Sequence, residues 1–170
     1  GGDYSRAFAI NDFGDVVGSS GKTGSTRAFL KTRNGQMEDL GAIAGNIQSS
    51  ALGINNLGQV VGYSNGARGE RAFLWTRSNG MADLGTLEGG AQSRALAINE
   101  IGDIVGTSGS SLGDRAFVWT RSGGMRDLND MIPPGKDFVL TQAVNINAAG
   151  MILAIGHSDD EHSQGNGPND

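Results

Sequence analysis

Residues 93–106 read SRALAINEIGDIVG, and the same phrase stands at 5–18 as SRAFAINDFGDVVG and at 49–62 as SSALGINNLGQVVG, each copy 44 residues from the next. A second phrase keeps the same offset: RAFLKTRNGQMEDL (27–40), RAFLWTRSNGMADL (71–84) and RAFVWTRSGGMRDL (115–128). Between 49–84 and 93–128, 21 of 36 positions are identical, so the repeat, rather than any single motif, is what has to be explained. A fourth start, QAVNINAAGMIL (142–153), comes after 48 residues, with the extra residues around DMIPPGKDFVL (130–140).

One unit parses into four short strands. ALAIN is small and apolar and ends on Asn99, which with Glu100, Ile101 and Gly102 forms an N-x-x-G turn. Asn suits the first position of a type I turn, and Gly the left-handed position after it. DIVGTS is β-branched and makes a second strand. A variable loop follows (SGKTGST, SNGARGE or GSSLGD), then RAFVWT as a third strand. RSNGM carries a hairpin signal of the Asn-Gly type before the fourth strand, MADLG. No stretch has a helical period of useful length.

Four antiparallel strands in about 44 residues is the pattern of a β-propeller blade; a β-solenoid or a stacked hairpin array is the competing architecture. Innermost strands of a propeller converge and exclude bulk, and Ala7, Ala9, Ala51, Gly53, Ala95 and Ala97 are small. Outer strands leave room between blades for Phe73, Trp75, Phe117 and Trp119. The expected fold is therefore all-β: antiparallel four-stranded repeats at 5–48, 49–92 and 93–140, a partial unit at 141–156 and a polar tail at 157–170. That gives a partial propeller of about 3.5 blades, and by strand count a second copy, as a homodimer, would complete a seven-bladed ring. The alternative is that the remaining blades belong to a longer chain. Gly1-Gly2-Asp3-Tyr4-Ser5 aligns with Gly89–Ser93, a blade boundary.

These residues resemble the HAF-repeat family, an extracellular repeat. Its units are similar to Ala95–Gly106, Arg115-Ala116-Phe117 and Met125–Leu128 with their earlier copies, and its terminal unit is similar to 127–156. The resemblance covers residues 1–156 and implies a secreted or surface-exposed, propeller-like scaffold without implying a reaction. All three copies carry Arg where the family name has His, so a role tied to that His does not carry over.

Composition narrows the function classes. The net charge is −5, against a nucleic-acid partner, which would require a basic patch. No apolar run approaches the roughly 20 residues of a membrane helix, so no membrane insertion is expected. There is no cysteine, which removes disulfides, thiolate catalysis and thiolate metal sites. No nucleophile elbow, zincin motif or phosphate loop occurs, and neither a cofactor nor a catalytic residue is expected.

Repeat-invariant Arg27, Arg71 and Arg115, with Asp39, Asp83 and Asp127, are expected to form a structural charge network. Arg33, Arg77 and Arg121 precede the hairpin turns and would be solvated. Asn11, Asn55, Asn99 and Asn147 read as turn residues, because a calcium loop would need oxygens where Phe13 and Ile101 stand. His157 and His162 flank Asp159, Asp160 and Glu161, ligand types on a tail with nothing to set their geometry. A catalytic or binding residue breaks a repeat pattern. Tyr4, Tyr63, Arg68, Glu70, Glu88, Lys136 and Asp137 do so in connecting loops, and they are the candidate contacts for a carbohydrate or protein ligand.

Overall fold

The computed structural model describes residues 3–158 except 23 and 68. Its strands are β1 (Tyr4–Ile10), β2 (Val16–Lys22), β3 (Ser25–Lys31), β4 (Met37–Asp39), β5 (Asn46–Ile54), β6 (Val60–Gly66), β7 (Gly69–Thr76), β8 (Gly80–Asp83), β9 (Ser93–Ile98), β10 (Ile104–Ser110), β11 (Gly113–Thr120), β12 (Gly124–Asp127), β13 (Phe138–Ile146) and β14 (Ile152–Ser158). They pair in chain order into three antiparallel four-stranded sheets, β1–β4, β5–β8 and β9–β12, and a two-stranded sheet, β13–β14. The fold is all-β and propeller-like, one sheet per repeat. The single helical piece among the described residues is a 3-10 turn, Leu128–Met131, in the third connector.

Sheets stack face to face, and the core is divided into three seams between them. The first seam joins Val17, Ala28 and Leu30 to Ala51, Val60, Phe73 and Trp75. The second joins Val61 and Ala72 to Ala95, Ile104 and Phe117. The third joins Val105, Ala116 and Val118 to Ala143 and Ile146. The aromatic residues of the third strands fill these seams as the sequence predicts: Phe73 and Phe117 are fully buried. First strands of successive sheets touch, β1 with β5, β5 with β9 and β9 with β13, which explains their small side chains. A Cβ on Gly53 would already lie 3.2 Å from the Leu96 carbonyl oxygen of the next sheet. Among the described residues no sheet lies on the outer side of β1, and there Ala7 is exposed whereas Ala51 and Ala95 are buried.

Turn chemistry follows the sequence at the N-x-x-G turns and departs from it elsewhere. The Gly14, Gly58, Gly102 and Gly150 amides donate to the carbonyls of Asn11, Asn55, Asn99 and Asn147 at 3.0–3.2 Å, each glycine with positive φ. The Asn-Gly hairpin is different. A type I′ turn needs positive φ at both central residues, but among the described residues no non-glycine residue has positive φ, and Gly80 is at +67°. Thr76 pairs with Gly80, so the connection is a three-residue loop closed by a left-handed glycine. The six- to seven-residue loops expected between second and third strands are also shorter. Pairing continues to Lys22↔Ser25, Gly66↔Gly69 and Ser110↔Gly113, leaving two-residue tips. The polar residues that look like loop are strand.

Close backbone approach makes one glycine per sheet indispensable. Gly18, Gly62 and Gly106 face Ala7, Ala51 and Ala95, beside a register shift in the first strand. A Cβ on Gly106 would sit 1.9 Å from the Arg94 carbonyl oxygen, and one on Gly62 2.0 Å from that of Ser50. Gly106→Ala is expected to lower unfolding free energy by about 3 kcal/mol, the upper end for overpacking. Gly109→Ala in the same strand, where the nearest atom is 3.7 Å from the added Cβ, should stay within about 1 kcal/mol. Urea unfolding midpoints of the two variants measure this.

Candidate functional site

Repeat-invariant polar residues are taken up by the scaffold. Arg71 Nε donates to Asp83 at 3.2 Å across β7–β8, and Arg115 lies 3.8 Å from Asp127 across β11–β12. Arg27 and Asp39 come together on the wall of a cavity without an ion pair within 4 Å among the described residues. Each aspartate also turns the chain into its connector. The Oδ1 atoms of Asp39, Asp83 and Asp127 accept from the amides of Gly41, Gly85 and Asn129 at 2.8–2.9 Å. Arg33, Arg77 and Arg121 are exposed; Arg77 reaches Glu38 at 3.0 Å and lies over Trp75.

The turn asparagines form a ladder from sheet to sheet. Asn55 Oδ1 accepts from the Leu57 and Gln59 amides at 3.1 and 3.0 Å. Asn11 Nδ2 donates to the Asn55 carbonyl at 3.2 Å, and Asn55 Nδ2 to the Asn99 carbonyl at 3.0 Å. Asn99 Nδ2 is buried without an acceptor among the described residues. Phe13, Leu57 and Ile101 occupy the same turn position in successive sheets and are all exposed. The sequence reading uses Phe13 and Ile101 only as an argument against calcium and so overlooks this apolar row on the turn end.

A second series, the serines, also went unread. Ser49 Oγ accepts from the Ala28 amide of the preceding sheet at 2.9 Å and donates to the Gly41 carbonyl. Ser93 repeats this with Ala72 (2.9 Å) and Gly85 (2.6 Å). Ser64 and Ser108 accept from the connector amides of Ile43 and Leu87 at 3.1 and 3.0 Å. All four serines are buried. Their recurrence at the repeat period was the available signal.

Residues that break the repeat gather at the opposite end of the strands from the N-x-x-G turns. There the connectors meet the hairpin tips: the Ser111 amide donates to the Glu88 carbonyl at 3.1 Å. Tyr63 (β6), Glu70 (β7) and Arg94 (β9) form one cluster across the second seam. Arg94 Nη2 donates to Glu70 Oε1 at 2.6 Å, Arg94 Nε bonds Oε2, and the guanidinium stacks 4.7 Å over the Tyr63 ring. This bidentate fork is the geometry that planar guanidinium favours. The Glu70 hydrogen bond, foremost, raises the Arg94 pKa above its ordinary value against the lowering effect of partial burial, so Arg94 stays charged at neutral pH.

Tyr63 also lines a cavity of about 210 Å³ with Tyr4, Arg6, Phe8 and Gln48. Beyond Arg94, a cavity of about 280 Å³ continues past Gln92, Thr107, Asp114 and Gln142. Of the seven candidates, then, Tyr4 and Tyr63 line one cavity and Glu70 its neighbour, the two linked by the stacking of Arg94 on Tyr63. Glu88 lines a separate cavity of about 560 Å³ with Asp127 and Asp130. Lys136 and Asp137 are exposed in the connection leading to β13 and line none of these cavities. Arg68, Asp159, Asp160, Glu161 and His162 lie outside the described residues. His157 is not tail: it pairs with Val139 in β14, which continues past the boundary drawn at 156. Arg94 was passed over because Arg6 occupies the same repeat position.

No family model, no curated protein and no solved structure matches the chain.

The seam serines and their solvent-facing counterpart give a direct contrast. Ser93→Ala strands a buried amide and a part-buried carbonyl and should cost about 2–3 kcal/mol. Ser5→Ala, on the outer side of β1 where the residue is exposed, should stay within about 0.5 kcal/mol. Thermal and urea unfolding of the two variants measures the difference.

Proposed function

We propose that the chain is a non-catalytic, secreted or surface-exposed repeat scaffold that binds a carbohydrate or protein partner along the hairpin-and-connector end of its sheets. The carrying observation is the Tyr63–Arg94–Glu70 cluster. The invariant Arg, Asp, Asn and Ser residues are occupied in holding sheets together, whereas Tyr63 and Glu70 depart from the repeat pattern and, with Arg94, share a surface and are mutually fixed. A stacked aromatic with a pinned guanidinium combines an apolar plate with directed donors, and little side-chain entropy is lost on binding. The HAF-like repeat units support the extracellular location.

Two other readings each have an observation in their favour. Self-assembly into a homodimeric ring is favoured by exposed apolar side chains on both terminal sheets, Phe8 and Ile10 on β1 and Leu153 and Ile155 on β14. An enzyme acting on an extracellular polysaccharide is favoured by the carboxylates of Glu88 and Asp130 in one cavity. Asp127, on the same wall, is held by Arg115 and Asn129.

A glycan array and a cell-surface capture screen test the binding function. Tyr63→Ala and Arg94→Ala should each weaken a hit by roughly tenfold or more, the effect of removing an interface anchor. Leu57→Ser on the opposite rim should leave it unchanged. A hit lost only with Leu57→Ser, or no hit in either screen, overturns the proposal. Release of reducing sugar that stops in Glu88→Gln and Asp130→Asn would establish the enzyme reading instead.

A further inference from the structure

We propose that the outer face of the first sheet is a preformed socket for another repeat unit of this type, recognised through a connector of the form Asp-Leu-Gly-Xaa-(Ile/Leu). This assignment is independent of the hairpin-end binding function.

The repeat itself shows what the socket holds. Ser20, Arg27, Phe29, Met37 and Asp39 line an open cavity of about 350 Å³. Their counterparts one unit later are Ser64, Arg71, Phe73, Met81 and Asp83. There the place is taken by the preceding connector. Ile43 packs into the cluster containing Phe73 and Met81, and its amide donates to Ser64 Oγ at 3.1 Å. In the third sheet Leu87 does the same, packing with Phe117 and Met125 and donating to Ser108 Oγ at 3.0 Å.

In the first sheet both halves of this recognition stand ready. The apolar half is uncovered: Met37 is 49% and Ile10 66% exposed, whereas Met81 and Ile54 are packed in the first seam. The polar half is turned on itself. Ser5 Oγ donates to Ser20 Oγ at 2.8 Å, although the equivalent serines, Ser49 and Ser93, each accept an amide from the preceding sheet. The occupant therefore supplies two backbone amides, one from a third strand to Ser5 and one from a connector to Ser20, together with one branched aliphatic side chain. Connectors 39–45 and 83–89 are already engaged inside the chain, so the occupant is a connector of another chain bearing the motif.

The test titrates the isotope-labelled full chain with a synthetic peptide of its own residues 81–90, MADLGTLEGG, followed by methyl and amide NMR. Saturable shifts are expected at Met37, Ile10 and Ser20, with a dissociation constant on the order of 10⁻⁴ M because a short peptide bears the full ordering cost. A peptide with Leu87→Asp, and the variant Ser20→Val of the chain at a half-buried position, should each weaken binding at least tenfold. Absence of saturable shifts, shifts centred on Met81 or Met125, or an undiminished response to the Leu87→Asp peptide would overturn the assignment. So would a dimer that Met37→Arg dissolves but the peptide does not displace, since the face would then be taken by a second copy rather than by a connector.

Discussion

The seam between neighbouring sheets is the constraint on which the structure depends. A single four-stranded sheet of this length buries nothing by itself; its apolar residues are covered only when the next sheet lies against it. Stacking also buries backbone groups at the seam, and these must be satisfied within it. Buried serines do this. Ser49 and Ser93 join a third-strand amide to a connector carbonyl, and Ser64 and Ser108 hold the connectors themselves. The clamp fixes which sheet follows which, while the aliphatic and aromatic side chains supply the driving force. Stability then follows neighbouring pairs of repeats, as in other stacked-repeat proteins.

This economy separates scaffold from site. A residue needed at every seam recurs at the repeat period, so the invariant Arg, Asp, Asn, Ser and Gly positions are spent on the architecture. What is left for recognition is the set that varies, and the hairpin end collects part of it: Tyr63 and Glu70 of one sheet, held by Arg94 of the next. Because that cluster bridges two sheets, its geometry is only as rigid as the seam beneath it. The opposite rim carries the apolar row of Phe13, Leu57 and Ile101, so the two rims of the stacked sheets differ in chemistry.

Much of the fold was legible because repetition multiplies weak local signals. Three aligned copies made the four strands, the N-x-x-G turns and the small first strand readable, and the aromatic positions fell in the seams. Hairpin geometry was less legible. An Asn-Gly pair has more than one way to turn a chain, and only the phase of the flanking register puts Gly80 rather than Asn79 in the left-handed region. Ser64 was read as loop because strand character at a buried, serine-bonded position is a tertiary property. Of the site, Tyr63 and Glu70 stood out by breaking the pattern. Arg94 did not, because its neighbours across the seam, rather than its identity, set it apart from Arg6.

Native-state hydrogen exchange at the Ala28 and Ala72 amides tests the central claim most directly. Both donate to a serine hydroxyl of the next sheet rather than to their own. If the seams hold the structure together, these amides exchange only with global unfolding, as slowly as the ladder amides in the middle of β6 and β10, and Ser93→Ala releases Ala72. Exchange of either amide at the rate of the exposed turn residues, with the ladders still protected, would contradict the account.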